Sequence, residues 1–285
     1  MLDNFLIGFE FEFGCDLTRR QLSEEMKKNG WLLKGNKPEK WSIVEDASID
    51  TLKNYEHEVI SPPIPGAEAL RSLQKFLEFM KSIGAETNES TGLHINVSFS
   101  DKSKTKSVDL LKLISSIPDI ELADHYERRY NDTCSPVEFF FNSNHRILVQ
   151  KIPETREERR AVILEHYIKA SSKYNTVNLK KWKRKKYIEY RFAGNTRYEF
   201  KFKTIKQDIK TVLKCMTKAC DGKISRAADK VVKDYSVKFV KNPHKSVDRV
   251  IEPFLTPGIY DSFRMYGEFG GYFDDDMFDS DFPLF

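Results

Sequence analysis

The stretch GFEFEFG at residues 8–14 constrains the fold more than any other part of the sequence. Phe9, Phe11 and Phe13 alternate with Glu10 and Glu12, a period of two. That is the period of a β-strand, in which residues i and i+2 share a face. The phenylalanines therefore point to a core and the two glutamates to the opposite side. A strand with one wholly aromatic face and one acidic face belongs in a sheet covered by helices on the aromatic side.

Three further segments repeat the device. YEHEVISPP carries Glu56 and Glu58, and two prolines stop it as a strand. TGLHINVSF carries His94 and Asn96, and KKYIEYRFAG carries Glu189 and Arg191. In each, two polar residues at i and i+2 stand among apolar or aromatic neighbours. Four such strands in one sheet would line a concave face with carboxylates, an imidazole and a guanidinium. Two carboxylates about 4.5 Å apart repel by roughly 4 kcal/mol at an effective dielectric near 20. Such a face either takes up protons or holds a cation. Several oxygen ligands with one imidazole favour magnesium or manganese over zinc, with magnesium bridging carboxylates to substrate phosphates. An arginine on the same face would meet phosphate oxygens. Taken singly, an ExE strand is a half-exposed strand and a lone His in a strand is structural; the repetition carries the metal–phosphate reading.

Between these strands the helical period appears. Residues 17–30 read as a helix closed by Gly30, and residues 66–83 carry the stripe Leu70, Leu73, Leu77, Met80 and Ile83. WSIVEDASID reads as a strand entering a turn. Residues 107–115, 156–172, 205–216 and 223–241 suit helices. The class expected is α+β.

Composition adds limits. Hydrophobic residues make up 40% of 285, enough for a substantial core. No apolar run approaches the length of a membrane span. The first residues lack the basic-then-apolar pattern of a signal peptide. The four cysteines fit no zinc spacing, and reduced thiols in a cytoplasmic protein are expected, in a bacterial or phage-infected cell. Net charge is +4, yet residues 268–285 hold six acids and no Lys or Arg, so the rest of the chain is more basic than the total. A basic body points to an anionic ligand, a nucleic acid, or a tail that folds back on it.

GFEFEF, WSIVEDASI, HEVISPP, STGLHINV, KYNTVNL and IEYRFAGNT, in this order, resemble the putative amidoligase family. It belongs to the glutamine synthetase and glutamate–cysteine ligase superfamily of carboxylate–amine ligases. The likeness covers roughly residues 5–200. It implies a curved antiparallel sheet of the glutamine synthetase catalytic type, with helices packed on its convex face. The concave face would bind ATP and two or three magnesium ions, manganese being an alternative. ATP would phosphorylate a substrate carboxylate, and an amine would displace the phosphate to leave an amide or isopeptide bond.

Carried onto this sequence, the resemblance implies Glu10, Glu12, Glu58, His94 and Glu189 as the metal set. His94, Asn96 and Arg191 would lie by the nucleotide phosphates, with Arg191 stabilising the transferring phosphoryl group. Asp46 and Ser48, in D-A-S, would shape the amine site, and Asp46 would hold an ammonium or take its proton. Tyr174 and Asn178, in K-Y-N-T-V-N, would lie close to the substrate. Two departures stand out. Asn96 occupies a place where the family often has a second histidine, and Lys173 one where it often has an arginine, giving a point charge without the bidentate fork.

Outside the motifs, Arg128 and Arg129 in HYERRYND are either binders of a substrate carboxylate or a solvated basic loop. KKWKRKK at 180–186 is either a phosphate-gripping patch on which Trp182 stacks or a hairpin leading into the Glu189 strand. The division expected is a catalytic domain over 1–266, with a helical part at 204–266, and a flexible acidic aromatic tail over 267–285. That tail would dock on a protein partner, cover the basic body, or serve solubility alone. The alternative function is a nucleic-acid- or protein-binding module using the basic body and that tail, its strand carboxylates being structural.

Overall fold

The computed structural model describes residues 2–31, 40–131, 134–142, 146–149, 153–171 and 173–239. The acidic aromatic segment 267–285, and the 240–266 part of the expected helical region, lie outside the described residues.

In chain order the elements are β1 (Phe5–Cys15), α1 (Arg19–Lys28), β2 (Ser42–Val44), β3 (Tyr55–Ile60), β4 (Ile64–Pro65), α2 (Gly66–Ser82) and β5 (Gly92–Phe99). There follow α3 (Leu110–Ser116), α4 (Asp119–Asp124), α5 (Val137–Asn142), β6 (Arg146–Val149), α6 (Arg156–Ala170), β7 (Val177–Asn178) and α7 (Trp182–Lys185). Last come β8 (Ile188–Gly194), α8 (Phe202–Ala219), α9 (Arg226–Asp234) and β9 (Ser236–Phe239). Among the described residues no helix is long and apolar enough to cross a membrane.

The main sheet is antiparallel, curved and unclosed, in the order β2-β3-β1-β5-β8-β7, with β4 also pairing to β1. The strand bearing GFEFEFG lies inside it, between β3 and β5. Its alternation is realised: Phe9, Phe11 and Phe13 are fully buried. Burying each such side chain contributes about 1.5–3 kcal/mol. Their ring face meets α2, where Phe76 lies 4.2 Å from Phe11 and 5.1 Å from Trp41, centroid to centroid. Trp31, just beyond α1, packs edge-on against Phe76 and Phe79. Ile205, Ile209, Val212, Leu213 and Met216 of α8 complete the same core. Helices thus pack on the Phe face of the sheet.

Caps explain where helices begin. Thr18 and Thr155 form capping boxes with Gln21 and Glu158, and Asp109 accepts the Lys112 N–H at the start of α3. Ser61, of the S-P-P segment, extends the β1–β3 ladder: its N–H donates to the Phe9 carbonyl, and its Oγ accepts the Phe9 N–H. Pro62 and Pro63 have no N–H, and regular pairing of β3 ends before them.

One expectation is corrected. The helix read over 223–241 stops at Asp234, and Ser236–Phe239 is a strand paired in parallel with Arg146–Val149. Ser-Val-Lys-Phe has a period of two and a β-branched residue, and its partner lies some ninety positions upstream. Only a tertiary contact selects strand over helix there. The short elements α4, α5, β6, β7 and α7 were also not anticipated. Each is too short to display a period of its own.

Candidate active site

The opposite face of the sheet brings the polar pairs together through strand register. Glu12 stands across the ladder from Glu58, Glu10 from His94, Asn96 from Glu189, and Glu189 from Asn178. Five strands, β3, β1, β5, β8 and β7, thus contribute to one polar row. Between Leu93 and Ile95 the β5–β8 register shifts. β8 spends one extra residue there, so Arg191 and Phe192 both stand opposite His94. Phe192 is buried in the core, while Arg191 enters the polar face beside Glu189.

Glu10 is the anchor. Its Oε2 lies 2.9 Å from His94 Nδ1, and its Oε1 accepts a 2.6 Å hydrogen bond from Asn96 Nδ2. Burial opposes its charge. The hydrogen bonds from His94 and Asn96, with the charges of His94 and Arg191, outweigh burial and hold its carboxyl at about 2. Glu12 Oε2 accepts the Gly92 N–H at 2.5 Å, and its Oε1 lies 3.2 Å from His94 Nε2. Glu189 is held from both sides. Its Oε2 accepts from Asn178 Nδ2 at 2.9 Å, and its Oε1 accepts from Arg191 Nη1 at 2.7 Å. The Arg191 guanidinium lies 5.7 Å from the Tyr174 ring centroid, a cation–π contact.

Glu58 behaves in the opposite way. Burial, and then the charges of Glu10, Glu12, Asp46 and Glu189, push its carboxyl up to about 9. Two carboxyls on neighbouring strands, one held near 2 and the other near 9, mark a place where negative charge exceeds what the fold neutralises.

The residues present fit a divalent cation. Ligand atoms of Glu10, Glu58 and His94 lie within 4.8 Å of one another. His94 Nε2 is buried without a hydrogen bond, 3.2 Å from the Glu12 carboxylate. Asn96 Oδ1 is buried without a hydrogen bond as well. An acidic, oxygen-rich set with one imidazole suits magnesium or manganese.

The remaining candidates fall in different places. Asp46 is among the charges acting on Glu58, and its Oδ1 accepts from both the N–H (2.8 Å) and the Oγ (2.6 Å) of Ser48, an Asx turn at the end of β2. Tyr174 is exposed beside Arg191, and Asn178 donates to Glu189. Arg129 pairs with Asp124. Arg128 is 1% exposed, its Nη1 donating to the carbonyls of Thr91 (3.2 Å) and Ala193 (2.8 Å). Of the basic segment 180–186, Trp182 and Lys185 are buried, so Trp182 presents no free face for base stacking. Sequence reasoning passed over Gly92. A Cβ there would stand 2.8 Å from His94 Nε2 and 2.9 Å from Glu12 Oε2, so only glycine lets those side chains meet above the strand. Its place two residues before His94 in T-G-L-H was the available signal.

A comparison with curated proteins gives no match. The protein-family model described as "Putative amidoligase enzyme" matches residues 3–214, the greater part of the chain and a span that holds the whole main sheet. That span takes in all six motifs, and this chain belongs to the putative amidoligase family.

Proposed function

We propose that this protein is an ATP- and magnesium-dependent carboxylate–amine ligase, forming an amide or isopeptide bond through an acyl phosphate. The observation that carries the reading is the convergence of Glu10, Glu12, Glu58, His94, Glu189 and Arg191 on one face, with Glu58 pushed up to about 9 by burial and by the carboxylates around it. Family membership supports ligase chemistry in general.

In the overall reaction the γ-phosphoryl group of ATP passes to a carboxylate oxygen of one substrate, releasing ADP. The amine of the second then attacks the acyl carbon, and inorganic phosphate leaves. Divalent ions held by Glu10, Glu58 and His94, with Glu12 and Glu189 beside them, would neutralise phosphate charge. Arg191 is the cation of the same face. Glu189 and Tyr174 fix its guanidinium, so it meets developing negative charge without reorganising. Asn178 keeps Glu189 turned toward Arg191. Asp46, which accepts from Ser48 just beyond β2, would hold the incoming ammonium or accept its proton. Partners on this reading are a small-molecule or peptide acid and an amine.

The test is calorimetric titration of ATP into the protein with and without magnesium, for wild type and for Glu10→Ala/Glu12→Ala. Magnesium-dependent binding that disappears in the double variant supports the ligase site. A folded wild type that binds no ATP in magnesium overturns it.

A further inference from the structure

Arg128 is among the most deeply buried large side chains of the protein, at 1% exposure. Burial pulls its guanidinium down from the usual arginine value, while the charges of Cys134 and Glu12 act to hold it up and Arg191 opposes it. A buried cation in reach of both Glu12 and Arg191 is costly unless it serves the arrangement around it.

Its hydrogen bonds show what that arrangement is. Nη1 joins the carbonyls of Thr91 and Ala193, the residues preceding Gly92 and Gly194, which stand opposite each other on β5 and β8. Gly194 has φ +129°, and a Cβ on it would stand 2.1 Å from Arg128 Nη1 and 2.7 Å from the Gly92 Cα. The guanidinium therefore occupies the space a side chain would fill, and the two strands close on each other beneath it. Thr91 immediately precedes Gly92, whose N–H reaches Glu12 Oε2 at 2.5 Å. The same peptide group thus has its carbonyl held by Arg128 and its N–H held by Glu12.

We propose that Arg128 is a positioning residue of the carboxylate site: by clamping the Thr91 and Ala193 carbonyls it fixes the Thr91–Gly92 peptide whose N–H orients Glu12. This rests on the metal reading above for its consequence, but its geometry does not. Arginine suits the task by its reach: both bonds leave Nη1, and a lysine keeps the charge but ends one bond short of that atom.

The experiment uses the full chain labelled with [15N]glycine, in wild type, Arg128→Lys and Arg128→Met, the Gly92 signal being assigned by its loss in Gly92→Ala. Manganese affinity is measured alongside by electron paramagnetic resonance, with manganese alone as the probe. The expected result is a downfield Gly92 amide in wild type, as a short bond to a carboxylate requires, that moves upfield in Arg128→Lys. Manganese affinity should fall about tenfold or more in Arg128→Lys, the range found when groups orienting metal ligands are lost. Arg128→Met, where it folds, should fall further. An unchanged Gly92 amide in Arg128→Lys overturns the proposal, as does an unchanged manganese affinity. A wild type that binds no manganese but shows the Gly92 shift overturns the metal reading and leaves Arg128 as the clamp on the peptide.

Discussion

Glu58 stands directly across the β1–β3 ladder from Glu12, a pairing of two acidic residues at the β3 end of the polar row. Cross-strand like charges are destabilising in themselves, and the fold meets the cost in metal-free protein by leaving a proton on Glu58.

That proton sets a pH dependence. The folded-state pKa of Glu58, about 9, lies above its ordinary value of 4.5, so the folded protein binds the extra proton between those limits. Stability from this group is fully present below the ordinary value and is lost as pH rises toward 9. Metal-free protein should therefore melt at progressively lower temperature from about pH 5 to pH 9. Glu58→Gln, neutral throughout, should flatten the decline, and magnesium should restore the wild-type melting temperature at the alkaline end. Thermal melts in chelator and in magnesium decide it. A wild-type profile as flat as that of Glu58→Gln would contradict the assignment.

Glu10 gives the opposite sign. Its carboxyl is held at about 2, below 4.5, so its stabilisation is present above the ordinary value and lost as pH falls toward 2. The difference amounts to something on the order of 3 kcal/mol. Glu10→Gln should be less stable than wild type at neutral pH by an amount of that order, and the gap should narrow in acid. Urea titrations at about pH 7 and pH 3 measure both.

Gly92→Ala is a steric probe of the site. The added methyl would lie under 3 Å from both His94 Nε2 and Glu12 Oε2. Manganese affinity should fall by about tenfold or more, with the far-ultraviolet dichroism of the sheet and helices retained. Unaltered affinity would mean that His94 and Glu12 do not act as a pair.

Phe76→Ala tests the other side of the same sheet. Phe76 is fully buried and its ring touches Phe11, Trp31 and Trp41. The substitution should cost about 3–5 kcal/mol in a denaturant titration. A loss under about 1 kcal/mol would contradict this packing.

The long, strongly periodic elements were legible from the sequence. The alternation of Phe9, Phe11 and Phe13 with Glu10 and Glu12, and the leucine stripe of α2, record which face is covered, and covering is a local requirement. The short elements were not. β7 is two residues long, and the helical pattern around 223–241 conceals a strand that exists because Arg146–Val149 is there to receive it.

The candidate site divides in the same way. That Glu10, Glu12, Glu58, His94, Glu189 and Arg191 are polar residues in apolar strands is written in the sequence, because the two-residue period assigns each to one face. Which of them meet is not. Register across β3, β1, β5, β8 and β7 places Glu12 against Glu58 and Glu189 against Asn178. The bulge in β8 sets Arg191 opposite His94, and Arg128 is buried against the Gly92–Gly194 pair rather than lying at a surface. The sequence by itself determined the faces, since side-chain direction alternates along one strand. Tertiary structure alone decided the partners, since pairing joins residues as far apart as Gly92 and Gly194 and depends on how neighbouring strands slide against one another.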